Sequence, residues 1–409
     1  MYKAMSEIKP IVNALKRSKV GAILLMIQIM ITTAIVSNAA FIIYDRSTYL
    51  QQETGYPEDE ILYFAITTFG EDIDLSQLFE ETETTLREIP GVIDAAVIAA
   101  LPLSGSGSAS GFDTLPHDQH QNGDNRNVRA AYTTGDDHVL NTLGVKIAEG
   151  RDFRPEDIVV TNDPSMLAKV AIVSRAFAEE IFPDENAIGK TFYSGNTGVE
   201  IIGIVDTMKG PWLKDSRPNN VIIFPRVEAR MYQNVAVRAT AEDRASVRKS
   251  IEDKILAQYD KRVVINMRGM DEAKAGYNAA DLLMLRMLVV LIVVLVMITA
   301  LGIFGMTVFN INKRTRQIGT RRALGARKSA IVQYFLVENG LICLVGLFFG
   351  CIGAYYLGGM LLREYSLPAL NNLYIVVTAL SVLVVSLLSV LLPANRASNI
   401  SPSIATRTI

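Results

Sequence analysis

Residues 313–330 read KRTRQIGTRRALGARKSA, with seven Lys/Arg, no acid, and a long apolar run on either side. If the flanking runs cross a bilayer, the Lys/Arg excess decides which side this segment occupies, because short basic loops stay on the cytoplasmic side. Charge alone would hold the loop there and bind anionic lipid. The segment contains more than charge. Ile318, Ala323 and Leu324 form a small apolar patch among the bases, and Gly319 and Gly325 bracket a short helix predicted over 320–324. A short basic helix with an apolar knob suits docking into a groove on a partner protein.

Working outward, four runs reach the roughly 20 apolar residues that a span requires. They are 20–44, 287–308, the glycine-rich 341–362, and 373–392. Lipid leaves only helices or closed barrels as spanning structures, so all four are expected to be helices. A cleaved signal peptide is the alternative for the first run, but that run is longer than the 7–15-residue apolar region such peptides carry. Lys3, Lys9, Lys16, Arg17 and Lys19 precede it, which places the N-terminus in the cytoplasm. Arg396 and Arg407 follow the fourth run, which places the C-terminus there too. Charge is partitioned accordingly. Residues 45–281 hold 39 acids against 24 bases, a net of −15, while the rest of the chain holds 3 acids and 16 bases, a net of +13. That is the balance of a membrane protein with one large outer domain.

The fold class expected is therefore a membrane α-helical protein with a large α+β extracytoplasmic domain inserted between helices 1 and 2. The predicted boundaries are an amphipathic cytoplasmic helix at 1–19, helix 1 at 20–44, the outer domain at 45–282, helix 2 at 283–310, the basic loop at 311–330, helix 3 at 331–362, helix 4 at 373–393 and a cytoplasmic tail at 394–409. Within the outer domain, 58–101 and 221–270 each read as part of a β-α-β half, and 102–220 reads as an inserted subdomain. LSGSGSASG at 103–111 has the composition of a flexible linker. Cys343 and Cys351 lie in one apolar run, roughly 12 Å apart along a helix, too far to bridge.

Catalytic signals do not assemble. Gly189-Lys190-Thr191 ends like a phosphate-binding loop, but the position that must be glycine is Asp184. His117 and His120 have no evident third metal ligand, His138 beside Asp136 and Asp137 reads as surface, and the serines at 104–110 form no nucleophile elbow. No catalytic residue, no metal site and no nucleic-acid partner are expected. Glu338 lies a turn or two inside the third helix, within reach of water or the basic loop. Gly346, Gly350 and Gly353 mark a face on which another helix packs closely.

RTRQIGTRRALGA at 314–326, continued by Phe335-Leu336-Val337-Glu338, resembles the coupling-helix motif of the MacB/FtsX-like ABC permease family. Leu143-Gly144-Val145, Glu149-Gly150-Arg151-Asp152-Phe153, Ala187-Ile188-Gly189-Lys190, residues 200–205 and residues 393–398 resemble further signatures of that family. The family often has Glu where Gln317 stands and a base where Asn395 stands. The resemblance implies a stand-alone permease subunit of a mechanotransmitting efflux transporter in the bacterial inner membrane. It implies no cofactor on this chain, with ATP and Mg held by a separate cytoplasmic ABC ATPase. It also implies a second permease as homodimer or related chain and, in a Gram-negative cell, a periplasmic adaptor and a TolC-like outer-membrane duct. On this reading Arg314, Arg316, Gln317, Ile318, Gly319, Arg321, Arg322, Ala323, Leu324 and Gly325 dock the ATPase. Lipoprotein release of LolC/LolE type and FtsX-like control of cell-wall hydrolases share the same topology.

Overall fold

The computed structural model describes residues 19–399 apart from 123–124, 162, 164–165, 167 and 366–369, so the amphipathic helix expected before Lys19 lies outside the described residues. The chain divides into two compact units, one of residues 1–51 with 280–409 and one of residues 52–279.

The first unit is built from four helices long and apolar enough to cross a membrane. They run Lys19–Leu50, Ala279–Lys313, Lys328–Tyr365 and Asn372–Ser398. Each outruns its expected span, because a change from apolar to polar side chains leaves the backbone hydrogen-bond ladder intact. The fourth continues through Pro393, so 394–398 are helical rather than the start of a tail. Pro393, Ala394, Ala397 and Ser398 are buried there, and that packing offsets the one ladder bond the proline removes.

The glycine stripe of the third helix rests on the first helix of the same chain. A Cβ on Gly346 would sit 2.9 Å from Ile29 Cβ, and one on Gly350 would sit 2.7 Å from Thr33 Cβ. At Gly353 the corresponding contact, to Ala34, is an ordinary 3.4 Å. Polar clasps join the helices where lipid offers no alternative partner. The Thr32 and Thr299 hydroxyls lie 2.8 Å apart, Asn38 Nδ2 donates to the Ala354 carbonyl at 3.0 Å, and Asn339 Nδ2 donates to Ser386 Oγ at 2.7 Å.

The inserted domain contains strands β1 (Ile61–Thr68), β2 (Val92–Val97), β3 (Ser108–Asp113), β4 (Asn127–Gly135), β5 (Ile147–Gly150), β6 (Val159–Thr161), β7 (Val170–Ser174), β8 (Thr191–Ser194), β9 (Thr197–Val205), β10 (Val221–Glu228), β11 (Tyr232–Ala239) and β12 (Arg262–Gly269). The early and late β-α-β units share one antiparallel sheet in the order β12-β1-β11-β2. Helices Leu75–Arg87 and Arg244–Gln258 cover one face, the split β-α-β arrangement of ferredoxin-like folds. Leu62, Phe64 and Ile66 alternate inward along β1 to meet Phe79 and Leu86 from one helix and Val247, Ile251 and Ile255 from the other.

Six of the remaining eight strands run β4-β3-β8-β9-β7-β10, and β10 pairs again with β4 to close a barrel, to which β5 adds on β9 and β6 on β10. β10 thus belongs to the barrel, which moves the boundary drawn at 220 to beyond Glu228. Phe112, Phe177, Phe192 and Phe224 fill the interior. Phe112 meets Phe192 edge-to-face at 5.5 Å and Phe177 at 6.0 Å. The stretch at 103–111 is not a free linker. Leu103 is fully buried, Gly105 N donates to the Pro211 carbonyl at 2.8 Å, Trp212 Nε1 donates to the Gly105 carbonyl at 2.9 Å, and Ser108–Gly111 form most of β3. Small residues here permit close approach, since a Cβ on Gly105 would fall 2.2 Å from the Tyr277 ring. His117 and His120 sit in a 3₁₀ turn, His117–Asn122, rather than an open loop.

Phe112→Ala should empty the barrel centre at a cost of about 3–5 kcal/mol. The near-UV circular dichroism transition of the full chain should fall by roughly 10 °C, whereas Phe69→Ala, at an exposed position, should leave it in place.

Candidate functional site

The basic segment folds into a helix, Thr315–Ala323, directly after the second membrane helix. Its end is fixed by Gly325, whose φ of +91° lies in the left-handed region that glycine adopts at little cost. Ala326 N donates to the Arg321 carbonyl at 3.0 Å and Gly325 N to the Arg322 carbonyl at 3.1 Å, the pair of bonds that defines a Schellman stop. The helix starts five residues before the expected 320–324, with Gly319 inside it. An interior glycine costs about 1 kcal/mol. Here the cost is offset by Ile318, which is buried in the membrane-helix core with Ile311, Ile331 and Phe335.

One interaction fixes the helix against the third membrane helix. Arg314 Nη1 lies 2.9 Å from Glu338 Oε2 and 3.2 Å from the Tyr334 hydroxyl. Both charged side chains are largely buried, at 15% exposure for Arg314 and 5% for Glu338. Tyr334 and Glu338 are one turn apart on the same helix face. The Arg321 guanidinium stacks over the Tyr334 ring at 5.2 Å, a cation–π contact. Between the two helices lies a cleft of about 220 Å³, lined by Arg314, Gln317, Ile318, Arg321, Tyr334 and Phe335 among others.

The ten residues named for docking therefore separate into two sets. Arg314, Ile318 and Gly319 turn inward, and Arg322 is half-buried with Nη1 donating to the Ala326 carbonyl at 3.0 Å. Arg316, Gln317, Arg321, Ala323, Leu324 and Gly325 are exposed, Leu324 at 83%. A leucine that exposed, on a helix held by a buried ion pair, is an apolar knob left uncovered among the described residues. Sequence reading missed Tyr334, and it gave Glu338 a reach to the loop without naming its partner. Arg314 and Glu338 are 24 residues apart, and only the fold around Gly325 brings them together.

Elsewhere the Lys190 of the Gly-Lys-Thr stretch is paired with Glu185 and stacked on Phe182 at 5.1 Å. Gly189 N donates to the Ile201 carbonyl, making the stretch a turn against β9. His138, read as surface, is joined to Asp94 at 3.0 Å.

Removing one partner of a buried ion pair strands the other charge and costs about 3–5 kcal/mol, while replacing both with apolar residues is often neutral. Glu338→Ala should therefore lower the thermal midpoint of the detergent-solubilised chain more than the double variant Arg314→Met/Glu338→Met.

Known proteins match both units. Residues 20–254 match the model of the MacB-like periplasmic core domain, and residues 289–402 match that of the FtsX-like permease C-terminal region. An ABC transporter permease of Bacillus subtilis named YknZ, described as uncharacterised, is 25% identical over 278 residues, covering 66% of this chain and 68% of that one. The macrolide export ATP-binding/permease protein MacB of a Shewanella species is 27% identical over 220 residues, covering 53% of this chain and 33% of that one. The chain thus spans only about a third of that relative. Among solved structures, the extracellular domain of YknZ from Gram-positive bacteria matches at 16% identity with a TM-score of 0.30, covering 50% of this chain and all of that one. The periplasmic region of MacB from Actinobacillus actinomycetemcomitans matches at 14% identity with a TM-score of 0.33, covering 54% and 94%.

Proposed function

This chain belongs to the MacB/FtsX-like family of ABC transporter permeases, and from that membership we propose that it is the membrane subunit through which an ABC ATPase moves an extracytoplasmic domain to drive efflux. The observation that carries the reading is the exposed Leu324 among exposed arginines, on a helix that Arg314 and Glu338 fix to the third membrane helix. An apolar side chain inside a charged rim matches the general anatomy of a protein interface, an apolar core within a polar rim. Closure of the ATPase, a separate chain holding ATP and Mg, presses on this helix. The ion pair passes the push to the third membrane helix, and the glycine contacts at Gly346 and Gly350 pass it to the first.

The Lys/Arg bias supports an inner-membrane orientation with both termini and the basic helix in the cytoplasm. A second permease is the proposed partner within the membrane. Met287, Val290 and Leu301 on the second helix are 61–68% exposed, which leaves apolar surface for it or for lipid. Relatives such as the Shewanella protein carry macrolide export in their names, which favours a drug-like or peptide cargo, with an adaptor and a TolC-like duct as onward partners in a Gram-negative cell.

The test is reconstitution of the chain with its ATPase in lipid vesicles. Arg322→Glu with Leu324→Asp should leave the permease inserted and lower its stimulation of ATP hydrolysis by at least about tenfold, the scale of one lost hot spot. Undiminished stimulation would refute the docking assignment.

A further inference from the structure

A second concentration of buried charge lies inside the inserted domain. Glu83 and Arg87 come from the helix Leu75–Arg87, Asp94 comes from β2, and Asp136, His138 and Asn141 follow β4. β2 belongs to the four-stranded sheet and β4 to the barrel, so the cluster lies where the two meet, beside the lone bridge between Ile98 and Gly135. Arg87 is 3.2 Å from Glu83, 3.2 Å from Asp94 and 3.6 Å from Asp136. Asn141 Nδ2 donates to Asp94 at 2.6 Å, and His138 Nδ1 is 3.0 Å from the same carboxylate. Val97 N donates to Glu83 at 2.7 Å, and His138 N donates to Asp136 at 3.0 Å. Outside this ring, Asp152 lies within electrostatic reach of Asp137 and His138, while Arg238 of β11 is engaged by Glu60 and the Asn141 carbonyl.

Three carboxyls thus gather on one guanidinium, and Glu83, Asp94 and Asp136 are each less than a tenth exposed. Glu83 Oε2 and Asp136 Oδ2 lie 3.2 and 3.6 Å from the same Arg87 nitrogen, Nη2, so two buried carboxyls converge on one side of the guanidinium. Burial first, and then the charge of Asp136, keeps the Glu83 carboxyl well above the usual carboxylate range, while burial raises Asp136 against the opposing pull of its hydrogen bonds.

We propose that Glu83 and Asp136, sharing one proton beside Arg87, form a proton-dependent clasp between the four-stranded sheet and the barrel. With the proton in place the junction is closed. When it leaves, two adjacent buried carboxylates repel and the junction opens. A carboxyl held above its unfolded value contributes stability that is complete at low pH and is lost as pH rises through its native value. The clasp is therefore tight in mildly acidic medium and loosens toward alkaline pH.

Hydrogen exchange of the full chain in detergent, followed from about pH 5 to pH 9 and corrected for intrinsic rates, tests this at residues 94–98 and 133–141. Loss of one proton makes the opening equilibrium rise by up to about tenfold per pH unit above the transition. Glu83→Gln should abolish that slope. Its carbonyl can still accept from Val97, but it does not titrate. Asp136→Asn removes the repelling charge but leaves Glu83 buried, so it should move the onset of the slope to lower pH, and it serves if Glu83→Gln does not fold. A wild-type chain without the slope would overturn the proposal. So would a Glu83→Gln chain that opens more at every pH while keeping the slope, an Asp136→Asn chain whose onset does not move, or a slope removed only by His138→Gln.

Discussion

The ion pair between Arg314 and Glu338 places two charges where neither is stable alone. Glu338 is one of three acids outside residues 45–281, and it lies inside a helix whose other residues are mainly apolar. It is tolerated because Arg314 approaches it at 2.9 Å, with Tyr334 completing the contact. Two further features rest on this pairing. The basic helix cannot roll freely on the membrane helices, since one end is tied by charge and Ile318 is buried beneath it. Leu324 then points away from the protein because the opposite face is already occupied. The exposed surface is thus defined by what the buried surface must satisfy.

The same economy governs the membrane unit. Helices in lipid gain little from apolar burial against one another, so contact depends on close approach and polar clasps. Gly346 and Gly350 allow the third helix to touch the first at backbone distance, and Asn38 reaches across to the Ala354 carbonyl. The first and third helices are therefore coupled more tightly than apolar contact alone would make them. In the proposed mechanism that coupling lets a push on the basic helix travel without a dedicated linker.

The membrane helices were legible in the sequence because uninterrupted apolar length has one physical reading. Their ends were not, because a helix does not stop where hydropathy changes, as the fourth helix and Pro393 show. The early and late β-α-β units were visible as patterns of period 2 and 3.6, but barrel closure through β4 and β10 depends on strands about 90 residues apart and leaves no local trace. Composition misled at 103–111, where small residues serve close packing and a strand rather than flexibility. At the candidate site the run of bases and the apolar Leu324 among them were legible in the sequence. The division into inward and outward residues was not, because it depends on the Schellman turn at Gly325 that folds Arg314 back onto Glu338.

The central claim is that Leu324 is covered by an ATPase in the assembled transporter. The most direct measurement replaces Leu324 with a photo-crosslinking amino acid, irradiates native membranes and identifies the adduct by mass spectrometry. An ABC ATPase should be crosslinked at position 324 and not at Phe309, a control on the second membrane helix that is 59% exposed. Adducts to lipid alone at position 324, in membranes where the ATPase is present, would contradict that claim.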